Sequence, residues 1–130
     1  MAVIISTDAG TTGVRTFALN ENGVQVGLAY KEFTQHYPFP GWVEHDPIEI
    51  WVAVQDTISE LTKTLSDPIA CIGITNQRET AVVWSRSSGL PLAPAIVWQD
   101  RRTTKRCTEL ERQGHLGLVR DATGLVLDPY

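Results

Sequence analysis

Residues 2–7, AVIIST, form an apolar, β-branched run that stops at Asp8, and residues 14–20, VRTFALN, alternate Val14, Thr16 and Ala18 against Arg15, Phe17 and Leu19. Both patterns predict strands, the second half-buried, and the AGTTG between them supplies turn residues. ENG at 21–23 is a second turn signal, after which VQVGLAYKEFT at 24–34 reads as a third, longer strand. The opening is therefore predicted to be a three-stranded antiparallel meander.

HYPFPGWVEHDP, rich in Pro, Gly and aromatic residues, predicts an ordered loop that delivers a helix start: Asp46 as N-cap, Pro47 at the first position and Glu49 at the third, a capping box with Asp in the Ser/Thr role. From there Ile48, Trp51, Val52, Ile58, Leu61 and Leu65 recur at helical spacing, which predicts a helix over 47–65 with that face on the sheet. IACIGITN, 69–76, is almost continuously apolar, the mark of a central parallel strand covered on both faces. TAVVWS and PAIVW are two further strand-like pieces around the turn RSSGLP. DRRTTKRCTELERQG reads as a solvated helix, with Asp100 placed to be its N-cap. A meander, a crossover helix and a parallel strand point to a layered α/β domain.

Composition narrows the class. The chain has 130 residues, 42% hydrophobic and 20% charged, with a formal net charge of -4, values of an ordinary globular domain. Cations are scattered apart from Arg101, Arg102, Lys105 and Arg106, so no basic stripe for nucleic acid or anionic lipid exists. Cys71 and Cys107 have no metal-ligand spacing and point to a reducing, cytoplasmic setting. No leader pattern opens the chain and no apolar stretch is long enough for a membrane span. The apolar, aromatic end at Tyr130 looks cut.

Three stretches carry candidate chemistry. DAGTTG, from Asp8 to Gly13, lacks the Lys of a P-loop and the spacing of a dinucleotide turn. It suits a tight hairpin, and it equally suits a concavity of backbone N–H groups and hydroxyls for an anion, with Asp8 beside it for hydrated Mg²⁺ and Arg15 within reach of the same phosphates. TNQRET leaves the end of the apolar run as Asn76, Gln77, Arg78 and Glu79, where ligands gather in α/β sheets. It reads as a turn with a surface ion pair or as a polyol site in which Glu79 accepts and Arg78 donates. Trp98, in AIVWQDRR, is core or the wall of a pocket. His36, His45 and His115 show neither ligand spacing nor a paired nucleophile and are assigned no chemistry.

In order, DAGTTGVR, PGWVEHDPIEIW, GITNQRET, AIVWQDRR and TGLVLDPY resemble the N-terminal part of the glycerol-phosphorylating members of the FGGY carbohydrate kinase family, of the actin-like ATPase superfamily. The resemblance runs along essentially the whole chain, and NQRE is its most selective motif. It implies the N-terminal lobe of a ribonuclease H-like, actin-like ATPase fold, incomplete at residues 1–130, and transfer of the γ-phosphoryl of MgATP to glycerol. By the same resemblance Thr11, Thr12, Gly13 and Arg15 contact the nucleotide, with Thr11 near the transferred group, and Asp8 holds Mg²⁺. Arg78, Glu79 and Tyr130 bind the glycerol hydroxyls, and Trp98 lies against its carbons. No catalytic residue is expected in the chain; the general-base Asp belongs beyond Tyr130, in a full-length enzyme expected to be a homo-oligomer. Ala9 stands where many members have Gln and Gly13 where many have Ser. The rival readings are another polyol or sugar kinase of the family, and an actin-like module that uses nucleotide as a conformational switch.

Overall fold

The computed structural model describes residues 2–130. Strands β1 (Val3–Ala9), β2 (Gly13–Leu19) and β3 (Gln25–Glu32) form the antiparallel meander the alternation predicts, and β5 (Ile69–Asn76) lies parallel to β1, giving the order β3-β2-β1-β5. The two-residue strands β4 (Glu44–His45) and β6 (Ala95–Ile96) make a separate antiparallel pair. Helix α1 (Pro47–Thr64) crosses over between the meander and β5, and α2 (Thr104–Arg112) and α3 (Leu116–Thr123) follow.

Asp46 caps α1 as expected, its carboxylate accepting from the Ile48 N–H at 2.8 Å, with Pro47 at the first position. The capping box is only half formed. Glu49 does not reach back to Asp46 but accepts from the Thr34 N–H at 3.0 Å, tying the helix start to the end of the meander.

Only the later part of the predicted apolar stripe meets the sheet: Leu61 is in the core and Leu65 packs against it. Ala53, Thr57 and Leu61 are buried, whereas Ile48, Trp51 and Val52 are exposed. Ile48 and Thr57 are nine residues apart, about two and a half turns, and so lie on opposite sides of the helix. Close approach explains the choice. Beneath α1 the sheet presents Ala18, Ala29 and Gly27, and a Cβ on Gly27 would come within 2.6 Å of Leu61 Cδ1. Leu61 closes this small core with Ile5, Ala18 and Ala29, a burial worth roughly 1.5–3 kcal/mol.

A polar thread runs through the same interface. Thr7, Thr16 and Thr57 are each buried, with Oγ1 atoms 3.1 Å apart between Thr7 and Thr16 and 2.8 Å apart between Thr16 and Thr57, and Thr57 donates on to the Val54 carbonyl at 3.2 Å. Each hydroxyl is satisfied only by the next, which fixes the depth and register at which α1 sits on β1 and β2.

Other expectations are corrected. β5 is not covered on both faces: it is the edge strand next to β1 and all eight of its residues are exposed, because α1 packs over β1, β2 and β3 and stops short of it. The strand-like TAVVWS forms only isolated bridges, Ala81 to Ile96 and Trp84 to Pro91. Pro91 and Pro94 lack the N–H a regular ladder needs there. Asp100 is not the N-cap of α2; that position is Thr103, which makes no side-chain cap bond. α2 does have the solvated character expected, with no buried residue. Gly124 ends α3 at φ 74, its N–H returning to the Arg120 carbonyl at 2.8 Å.

The buried thread yields a stability prediction. Thr16→Val keeps the shape of the side chain but leaves both neighbouring threonines short of a partner, so the midpoint of urea unfolding should fall by the equivalent of about 1–3 kcal/mol. Thr16→Ser should stay close to the wild type.

Candidate functional site

The hairpin between β1 and β2 closes through the Gly10 N–H donating to the Gly13 carbonyl at 3.0 Å, leaving Thr11 and Thr12 at its tip. Asp8 lies opposite Arg15 across β2 and beside Thr75 on β5. The Arg15 guanidinium sits 5.7 Å from the ring centroid of Tyr30 on β3, within reach of a cation–π contact. Gly13 has a steric reason in this chain: a Cβ there would lie 2.6 Å from the Lys31 carbonyl oxygen and 2.8 Å from the Tyr30 hydroxyl. A side chain there does not fit without movement of β3.

β5 brings the second stretch alongside. Its parallel register pairs Ala9 with Asn76, and the Gln77 N–H extends the match by donating to the Ala9 carbonyl at 2.9 Å. Arg78 and Glu79 therefore leave the sheet next to the hairpin. Glu79 has φ 60, the only non-glycine residue at positive φ among the described residues. A left-handed backbone costs a side-chain-bearing residue on the order of 1–3 kcal/mol, and such strain concentrates at ligand sites.

Trp98, just past β6, closes the arrangement. Its indole N–H donates to Thr11 Oγ1 at 3.0 Å and its backbone N–H to Thr80 Oγ1 at 3.3 Å. Thr11, Asn76, Gln77, Arg78, Glu79 and Trp98 line a cleft of about 290 Å³. An adjoining hollow of about 220 Å³ shares Arg78, Glu79 and Trp98 and adds Leu125 and Tyr130. Of the residues singled out from sequence, Arg78, Glu79 and Trp98 thus line both hollows, Thr11 the first and Tyr130 the second. Asp8, Thr12, Gly13 and Arg15 line neither hollow and lie along the hairpin beside it. A larger hollow of about 490 Å³, between His36, Glu44, Asp46 and the 91–94 segment, shares no residue with the cleft.

Two supporting clusters escaped sequence reading. His45 is fully buried, its Nε2 2.6 Å from Gln35 Oε1 and its Nδ1 3.2 Å from Gln77 Nε2, with its ring packed edge-on against Phe33. Burial pushes its pKa down, with His36 adding to the shift and Glu49 opposing it, so the ring is neutral near pH 7. The second cluster anchors the loop after Trp98. Buried Asp100 accepts from the Val43 N–H at 2.7 Å, the Arg102 N–H at 2.7 Å and the Arg102 guanidinium at 2.8 and 2.9 Å. Arg102 also donates to Glu44 at 2.7 Å and stacks 3.7 Å from the Trp42 ring centroid. Nothing in residue spacing marks His45 or Asp100, because their partners come from segments 32 and 57 residues away.

Burial by itself would raise the Asp100 pKa; the bonds from Arg102 and Val43 outweigh it, and the net shift is downward from 3.8. A depressed folded-state value means that Asp100 contributes stability above the ordinary carboxylate range and loses it as pH falls through the folded value. Asp100→Asn should therefore unfold at lower urea than wild type at pH 7, and the gap should narrow below about pH 4. A gap independent of pH would show that shape, not charge, matters at this position.

The chain was compared with known proteins. The family model described as the FGGY family of carbohydrate kinases, N-terminal domain, matches residues 3–130. A glycerol kinase of Leptospira biflexa is 53% identical over 131 residues, covering 98% of this chain and 26% of that protein. One from Lactobacillus acidophilus is 50% identical over 130 residues with the same coverage. The chain thus spans about a quarter of the length of the curated relatives it matches. Among solved structures, Plasmodium falciparum glycerol kinase with ADP superposes with a TM-score of 0.90 at 36% identity, covering all of this chain and 27% of that one. A ligand-bound xylulose kinase from Lactobacillus acidophilus reaches a TM-score of 0.93 at 26% identity, covering 99% of this chain and 26% of that one.

Proposed function

The chain belongs to the FGGY family of carbohydrate kinases, with their actin-like ATPase fold, and from that membership we propose that it is the N-terminal part of a glycerol kinase, transferring the γ-phosphoryl of MgATP to glycerol. Fold does not choose the substrate, since a xylulose kinase superposes as well as a glycerol kinase does. The observation that carries the choice is the pair of adjoining hollows that share Arg78, Glu79 and Trp98, with Thr11 in one and Tyr130 in the other, in a chain about half identical to glycerol kinases.

In this reading Glu79 accepts and Arg78 donates hydrogen bonds to glycerol hydroxyls, the Tyr130 hydroxyl adds a third contact, and the Trp98 indole covers the carbons. Thr11, bonded to that indole at 3.0 Å, stands where hairpin and polyol site meet and is the residue of this chain that faces the transferred group. Thr12, Gly13 and Arg15 hold the nucleotide phosphates. Asp8 is one carboxylate at a strand end, and among the described residues no group of three or more His, Cys, Asp or Glu gathers around it. That donor set suits Mg²⁺, which keeps most of its water and binds through one or two carboxylates and the phosphates, whose charge it neutralises. What these residues do is position and screen charge, the larger part of phosphoryl-transfer catalysis. The general base and the second lobe belong to the remaining three quarters of the enzyme. No helix among the described residues is long and apolar enough to cross a membrane, and a cytoplasmic enzyme assembling as a homo-oligomer completes the proposal.

In the full-length enzyme, Glu79→Ala should lower kcat/KM for glycerol by at least about a hundredfold, the loss of bonds between a charged acceptor and two hydroxyls. Turnover within a few-fold of wild type would move the substrate site elsewhere. The 130-residue chain alone should release no ADP in response to glycerol in a coupled assay; robust glycerol-dependent release would overturn the division of the site between two parts of the protein.

A further inference from the structure

Gln77 sits between the hairpin, the buried His45 and the strained Glu79, and each of its side-chain atoms is committed. Its amide nitrogen faces His45 Nδ1 at 3.2 Å and the Gly10 carbonyl at 3.5 Å, and its amide oxygen accepts from Thr80 Oγ1 at 2.9 Å. With the His45 proton on Nε2, where Gln35 Oε1 takes it at 2.6 Å, Nδ1 and the Gly10 carbonyl are both acceptors. A flipped Gln77 amide would then set its oxygen against both. The Thr80 bond then spans the four residues 77–80, with Glu79 at φ 60 inside the span, and the same Thr80 oxygen accepts the Trp98 N–H at 3.3 Å.

We propose that Gln77, oriented by His45, is a positioning residue for the polyol site: through Thr80 it straps the 77–80 turn so that Glu79 keeps its left-handed backbone and Trp98 its place opposite. This rests on the reading of the cleft as the polyol site. The strap stores the strained Glu79 conformation in the absence of ligand, so that substrate does not have to select it from a minor population. Its loss acts on capture of the polyol, while the nucleotide, held by the hairpin, is bound as before.

The test uses the full-length enzyme. Thr80→Val is close to isosteric, lies outside the buried core, and removes both the strap and the acceptor for Trp98; Thr80→Ser keeps the hydroxyl. Thr80→Val should raise KM for glycerol about tenfold while KM for MgATP stays within twofold, and Thr80→Ser should restore the wild-type value. His45→Phe removes the acceptor that orients Gln77 and should give the same selective rise wherever its thermal melt shows a folded protein. A fall in melting temperature with both KM values unchanged would overturn the proposal and leave the network a purely structural one. An equal rise in both KM values would overturn it in favour of a role at the hairpin. If the wild-type enzyme ignores glycerol and phosphorylates another polyol, the glycerol reading fails, and the same comparison on that polyol still decides whether the strap positions the site.

Discussion

The parallel pairing of β1 with β5 is the constraint on which the rest of the site depends. An antiparallel hairpin alone would leave its tip facing solvent. Because α1 carries the chain back over the meander, β5 runs beside β1 in the same direction and both strands end at the same edge. Ala9 meets Asn76, Gln77 adds one more backbone bond, and the hairpin tip and the Arg78–Glu79 turn become neighbours. A one-residue slip would turn every side chain of β5 over and separate them. The threonine thread under α1 contributes to this register from the other side of the sheet, since it fixes where the crossover helix lies on β1 and β2.

Much of this was legible in sequence because it follows from local pattern. The meander, the Asp46 cap, the helix that follows and the apolar strand each have a periodicity or a turn signal of their own. What pattern could not give is which partner each face meets. Ile48, Trp51 and Val52 read as one stripe with Leu61 and Leu65, yet over Gly27, Ala18 and Ala29 the helix sets the small Ala53 and Thr57 beside Leu61, and Ile48, Trp51 and Val52 stay exposed. The run at 69–76 reads as doubly covered because its residues suit burial on both faces; at the edge of the described sheet it has no cover. Asp100 reads as a cap because Asp before a helix usually is one, whereas its real partners, Val43 and Arg102, form a buried charged turn.

The candidate site divides the same way. Thr11, Arg78, Glu79, Trp98 and Tyr130 could be named from their motifs, and the two adjoining hollows gather them. Their supports could not be named, because a buried His with amide partners from distant segments has no spacing to betray it. The strain at Glu79 is likewise invisible in sequence, where Arg78–Glu79 reads as a surface pair or a polyol site and neither implies a left-handed backbone.

Trp98 shows why two kinds of support are present. Its backbone N–H is held from one side by the neutral chain of Thr80, Gln77, His45 and Gln35. From the other side its loop is fixed by Asp100, which pairs with the Arg102 guanidinium, and Arg102 in turn donates to Glu44 on β4. A charged anchor on the cleft side would set a further ion beside Arg78 and Glu79. Neutral amides and a neutral imidazole hold position without adding field. The charged cluster, stacked on Trp42 and tied to β4, fixes the loop without adding a charge to the lining of the cleft, whose charged side chains are Arg78 and Glu79.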